Sequence, residues 1–148
     1  MPDPAAALRV AALRLLTRRD HSRAELKGKL AAQAESEEQL EAVLERLQAE
    51  RLLSDRRFAT QRVVARAGRY GNARLKQELR QQGVADEEIA AALPEGGDEV
   101  ARCRAVWAKK FSQLPQSAAE RAKQMRFLQY RGFSGEAIRS VMRGADDE

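Results

Sequence analysis

Apolar side chains recur along this chain at the spacing of helices. Leu40, Val43, Leu44 and Leu47 fall at i, i+3, i+4 and i+7, the clearest stripe on one helical face. Leu8, Ala12, Leu15 and Leu16 share a face within an Ala- and Leu-rich segment over 5–19. Leu26 and Leu30 stand one turn apart, as do Leu75 and Leu79. Phe58, Ala59, Val63 and Ala67 form another buried side, and Ile89 with Leu93 a shorter one. Val100, Cys103, Trp107, Phe111 and Leu114 step by three and four; Met125 with Leu128, and Ile138 with Val141 and Met142, complete the series. Period-2 alternation bounded by hairpin residues is absent. The pattern predicts an all-α protein of about nine short helices.

Start and stop signals punctuate the stripes. Ser22 to Glu25, Ser36 to Gln39 and Ser117 to Glu120 read as capping boxes. Ser54 and Asp55 suit the cap of the Phe58 helix, Asn72 the helix that follows, and Asp86 the short Ile89 helix. Gly68 and Gly71 bracket Tyr70 at a break. Gly83 and Gly132 sit where helices should end, Pro94 to Gly97 closes the Ile89 helix, and Pro115 is expected to stop the Trp107 helix.

The same plan is written three times. Leu30, Leu79 and Leu128 recur at an interval of 49 residues; so do Leu40, Ile89 and Ile138, and Leu44, Leu93 and Met142. Ala34, Gly83 and Gly132 share the helix-end position, and Glu38, Glu87 and Glu136 the first turn of a helix, where a carboxylate suits the helix dipole. Phe58 and Trp107 keep the same interval. Three three-helix repeats are predicted, over 5–54, 55–96 and 97–144, followed by an acidic tail at 145–148. Helices this short are marginal alone, so each repeat must bury its stripes internally and against its neighbours. The expected architecture is an elongated tandem array, straight or curved.

Charge changes this picture at one place. The chain carries 27 Lys and Arg against 22 Asp and Glu, a net charge of +5, which makes an anionic partner plausible. From Arg56 to Arg80 there are eight basic residues and a single acid, Glu78, whereas the flanking segments read as close to neutral. Arg62, Arg66 and Arg69 fall at i, i+4 and i+7, opposite Phe58 and Val63; Lys76 and Arg80 lie off the Leu75 and Leu79 face, with Arg74 ahead of them. Arginine suits bidentate contact with phosphate or carboxylate. Arg62, Arg66, Arg69, Arg74, Lys76 and Arg80 are therefore the candidate binding residues for a partner or DNA; a solvated basic face is the alternative. Tyr70 beside them could stack on a base or pack between repeats.

Catalytic chemistry finds no constellation. There is neither a GxxxxGK[ST] phosphate loop nor a GxGxxG fingerprint. His21 is the single histidine and reads as a polar turn residue; Cys103, the single cysteine, lies on the Trp107 stripe as an apolar filler. No cofactor and no metal site are expected. No apolar run is long enough to span a membrane, and no secretory signal is visible, so a cytoplasmic location is expected.

Three stretches carry a resemblance. Leu-Leu-Thr-Arg-Arg-Asp-His-Ser-Arg-Ala-Glu-Leu at 15–26, Leu-Leu-Ser-Asp-Arg-Arg-Phe-Ala at 52–59 and Arg-Leu-Lys-Gln-Glu-Leu-Arg-Gln-Gln-Gly at 74–83 resemble the RecX family of bacterial regulatory proteins, over roughly 8–143. The resemblance implies tandem three-helix repeats, no enzymatic activity, and negative regulation of homologous recombination and the SOS response. It implies a monomer that binds the RecA–DNA filament in its groove and inhibits RecA ATPase, strand exchange and co-protease activities; some members also bind DNA. Ala34 departs from the family's usual helix-ending glycine, and Asn72-Ala73 from a common proline. The residue-level reading keeps a second possibility open: a free-standing basic helical protein that binds single- or double-stranded nucleic acid.

Overall fold

A computed structural model of the chain describes residues 3–143. The tail at 145–148, and residue 144 at the end of the third repeat, lie outside the described residues. Among those described there are nine α-helices and no strand: α1 Pro4–Arg18, α2 Arg23–Leu30, α3 Glu37–Ala49, α4 Asp55–Arg66, α5 Asn72–Gln81, α6 Asp86–Ala92, α7 Glu99–Lys110, α8 Ala118–Tyr130 and α9 Gly135–Arg143. Short 3-10 turns follow α2 (Ala31–Gln33) and α6 (Leu93–Gly96). The helices form an all-α tandem array, folded into two compact units. The first takes the chain up to Ala59 together with Leu79–Ile89; the second takes Thr60–Glu78 and the chain from Ala90 onward.

Local signals set the helix starts. Ser22, Ser36 and Ser117 each accept the backbone N–H three residues on, at 3.0 to 3.1 Å, and Ser54 accepts from Arg57 N at 3.0 Å. The reciprocal half of each box is displaced. Gln39 and Glu120 reach back one residue further than the cap, to Glu35 N and Gln116 N, and Glu25 instead pairs with Arg19.

In the first unit, Leu8, Ala12, Leu26, Leu30, Leu40, Val43, Leu44, Leu47 and Leu53 make one core. In the second, Cys103, Val106, Leu128, Phe133, Ala137, Ile138, Val141 and Met142 make another. Each fully buried Leu or Ile contributes on the order of 1.5–3 kcal/mol relative to an exposed one.

The repeat register holds at its centre. Leu30, Leu79 and Leu128 are at most 1% exposed, and Leu40, Ile89 and Ile138 at most 3%. Gly83 and Gly132 end their helices with φ of +80° and +90°, a region costly for any side chain. Ala34 needs no such freedom, because α2 tightens into a 3-10 turn and Ala34 leaves it extended, at φ −77°.

Four expectations are corrected. Leu93 lies half-buried in the 3-10 turn after α6, and Ala92, fully buried, fills the core instead. Phe58 and Trp107 are not equivalent: α4 and α7 begin 44 residues apart, so Phe58 sits in the first turn of its helix and Trp107 in the last third of its own. Pro115 does not stop α7, which ends at Lys110; Phe111 turns extended and packs edge-on against Phe127, with ring centroids 5.5 Å apart. Asn72 lies inside the first turn of α5, and its side-chain oxygen accepts from Arg102 Nη2 at 3.0 Å.

What caps α5 comes from far along the chain, in a pattern that itself repeats. Ser22 Oγ donates to Gln82 O at 2.7 Å; 49 residues on, Gly71 N donates to Arg131 O at 2.8 Å. Arg23 N donates to Asp55 Oδ1 at 2.7 Å, and its counterpart Asn72 N donates to Glu99 Oε2 at 2.9 Å. In both α2 and α5 the first helical N–H is thus satisfied by the acid opening the next repeat's first helix, while the turn closing the next repeat's second helix accepts from the residue before, a hydroxyl at Ser22 and a backbone N–H at Gly71. Glu99 also accepts from Ser134 Oγ at 2.8 Å, joining the starts of α5, α7 and α9. The close approach leaves no room at Gly132, where a Cβ would lie against the Cβ of Arg74 and 2.8 Å from its backbone nitrogen.

Candidate functional site

The sequence directs attention to the arginines between 62 and 80. Arg66, the last residue of α4, forks onto Glu78 of α5, with Nε to Oε1 at 2.6 Å and Nη2 to Oε2 at 2.9 Å. Arg74 reaches the same carboxylate at 3.4 Å. Both guanidinium groups also lie over the Tyr70 ring, at 4.7 Å and 4.2 Å from its centroid, and Arg131 stands 5.6 Å away. Tyr70 is therefore held by the chain's own cations. Burial pushes the Glu78 carboxyl upward, but the hydrogen bond and charge of Arg66, helped by Arg74 and Arg62, outweigh it and hold the group below its ordinary range. The same bond raises Arg66 further.

The other four candidates divide. Arg80 makes a two-point contact with Asp86, at 2.7 and 2.9 Å. Arg62 is half-buried, and its Nε is enclosed without a hydrogen-bond partner. Lys76 is half-buried and has no acidic side chain at ion-pair distance among the described residues. Arg69 is exposed in the turn beyond α4, so it does not continue the helical face of Arg62 and Arg66. The stretch is thus less available than its composition suggests: Arg66, Arg74 and Arg80 are occupied, as are Arg56 by Glu88 and Arg57 by Asp20.

A second cationic surface was missed. From Ala101 to Arg131 there are again eight basic residues and one acid, Glu120, beyond an adjoining stretch at 81–100 with six acids and no base, so the flank on this side is not near-neutral but split into an acidic and a basic part. The proportion was readable; the long gap between its two clusters hid it. Arg104, Lys109, Lys110, Arg121, Lys123 and Arg126 have no acidic side chain at ion-pair distance among the described residues, and Lys109, Lys110, Lys123 and Arg126 are exposed. Arg69, Lys109, Lys110 and Arg131, with Gly68, Val106 and Phe127, line an open groove of about 350 Å³. Arg131 is fixed there by donating to Arg69 O at 3.3 Å. On the neighbouring face of α8, Tyr130 is 79% exposed, one and two turns beyond Arg126 and Lys123.

Three family models match in order: the first three-helix domain of RecX at residues 9–47, the second at 54–93 and the third at 97–142. The chain belongs to the RecX family. The regulatory protein RecX of Ralstonia nicotianae is 46% identical over 149 residues, covering 99% of this chain and 92% of that one. That of Chromobacterium violaceum is 45% identical over 141 residues, covering 95% and 92%. The crystal structure of RecX from Lactobacillus salivarius superposes with a TM-score of 0.87 at 21% identity, over 100% of both chains. A second RecX crystal structure gives 0.80 at 22%, covering 99% of this chain and 74% of that one. The two structures share the fold; the two sequence relatives are regulatory proteins by name.

The remaining reactive groups in this RecX-family chain are structural. His21 is buried rather than a simple turn residue, at 2% exposure. The Lys29 ammonium can only donate, so Nε2 accepts from it at 3.0 Å and Nδ1–H donates to Arg19 O at 3.1 Å. The ring is neutral, and burial holds its pKa below the ordinary value. Cys103 is fully buried and its thiol is pushed up to about 12 by that burial, which keeps it protonated. Among the described residues, no group of three or more His, Cys, Asp or Glu could hold a metal, and no helix is long and apolar enough to cross a membrane.

Proposed function

We propose that this chain is a negative regulator of homologous recombination and the SOS response. It acts in the cytoplasm as a monomer, by binding rather than catalysis. It binds a RecA filament on DNA and inhibits RecA ATPase, strand exchange and co-protease activities. Membership of the RecX family supports the reading, and one observation carries it: the unpaired cationic surface of the third repeat, with Arg69 beside it. Unpaired exposed cations attract an anionic surface and steer its approach. The decisive experiment is the DNA-dependent ATPase of RecA with and without this protein at two salt concentrations. Inhibition that weakens at the higher salt is expected. Undiminished ATPase at both would remove the reading.

A second reading, direct binding to bare nucleic acid, is favoured by Tyr130. An exposed aromatic ring in line with Lys123 and Arg126 is suited to stacking on a base between phosphate contacts. It predicts affinity for single strands that falls steeply with salt and does not depend on RecA.

A further inference from the structure

We propose that the groove between Arg69, Lys109, Lys110 and Arg131 is a docking site for an acidic peptide segment of a protein partner, one that carries an apolar side chain among its carboxylates. The inference rests on the reading that this chain acts on a protein filament, and it names the chemistry of that contact.

The groove has two parts with different demands. Its rim is four cations and no acid. Its floor is apolar, built from Val106 of α7 and Phe127 of α8. A segment with carboxylates on either side of one aliphatic or aromatic residue satisfies both parts at once, the side chain covering Val106 while the carboxylates meet Lys109, Lys110, Arg69 and Arg131.

A phosphodiester strand fits less well. It could meet the rim, but only a base could fill the floor, and a base needs a bare aromatic face. The Phe127 ring does not offer one. Arg131 stands 5.1 Å from its centroid, Lys110 5.6 Å, and Phe111 meets it at 89° from 5.5 Å. The bare ring is that of Tyr130, on the neighbouring face of α8.

The groove is also ready-made. Arg131 is held to the Arg69 carbonyl and Lys110 lies over Phe127, so two rim cations are positioned before any partner arrives. Lys109 and Lys110 are exposed and without acidic partners among the described residues, which makes them reversible in charge without dismantling the core.

The test uses the full chain and a fluorescein-labelled peptide of about twelve Asp and Glu residues around one central Phe. Binding is read by anisotropy, with an unlabelled thymidine oligonucleotide of about fifteen nucleotides as competitor. Lys109→Glu/Lys110→Glu should weaken the peptide by at least about tenfold, with helicity by circular dichroism unchanged, and the oligonucleotide should not displace the peptide. Lys109→Ala/Lys110→Ala should give a smaller loss in the same direction. No peptide binding, equal binding by the reversed variant, or displacement by the oligonucleotide would each overturn the proposal. RecA ATPase on the same proteins separates the two readings. If the wild type inhibits but does not bind the peptide, the groove assignment alone falls; if the wild type does not inhibit, the functional reading falls and the peptide result stands by itself.

Discussion

The stretches 56–80 and 101–131 carry the same charge, eight basic residues and one acid each, yet the fold uses them in different ways. In the first, Glu78 gathers Arg66 and Arg74, Tyr70 lies beneath their guanidinium planes, and Asp20, Asp86 and Glu88 take three more arginines. In the second, the acid Glu120 is turned to its own helix start, accepting from Gln116 N, and most of the cations are left to solvent. Composition along a sequence therefore locates charge but not its availability. What decides availability is which acids the fold brings near from elsewhere.

The comparison breaks most severely at Gly132, the point where the occupied stretch meets the turn after α8. Gly132→Ala introduces a Cβ against Arg74 in a backbone conformation that disfavours it. A loss of about 3 kcal/mol is expected by urea unfolding, combining the left-handed cost with the clash. Next comes Glu78→Gln. It leaves Arg66 and Arg74 with no acid between them, at a cost of about 1–2 kcal/mol for a pair that is only partly buried. It should also make the first stretch behave like the second, with elution from a heparin column at higher salt. Unchanged retention would mean that Glu78 was not what silenced these arginines.

Acid should reproduce part of that change. The Glu78 carboxyl titrates below its ordinary value of 4.5 in the folded chain. Its pairing therefore contributes in full above that value and is lost as the pH falls through the folded one. Subtracting the pH dependence of Glu78→Gln from that of the wild type should leave a difference that shrinks below pH 4.5. The smallest effect on stability belongs to Lys109→Glu/Lys110→Glu, about 1 kcal/mol in the same unfolding experiment, because it places two acids in the last turn of α7 and takes Lys110 off the Phe127 ring but opens no cavity. Its consequence should appear instead as lost inhibition of RecA.

The sequence makes the local half of this molecule readable. The Leu40 to Leu47 stripe, the serine caps at 22, 36, 54 and 117, and the glycines at 83 and 132 depend on neighbours within one or two turns, and each folds as its spacing predicts. What it hides is set by partners distant along the chain. Asn72 suits a cap in isolation, but Arg102, 30 residues on, claims its oxygen. Pro115 suits a helix stop, but Phe111 has already left the helix to meet Phe127. Of the candidate site, the arginine clusters were visible in the sequence, and one of their members, Arg69, lines the groove; the bond from Arg66 to Glu78, across 12 residues and a break, was not visible.

The caps at the start of α5 bear on how the chain emerges from the ribosome. Gly71, Asn72 and Ala73 donate to Arg131, Glu99 and Gly132, all of which are synthesised later. When Asn72 leaves the exit tunnel, none of these acceptors has yet emerged. Its helix start must wait about sixty residues, three to twelve seconds at bacterial translation rates, before it can close. The middle repeat is thus completed from its far side, and a chain released before Gly132 would carry an unfinished centre however well its first repeat had folded.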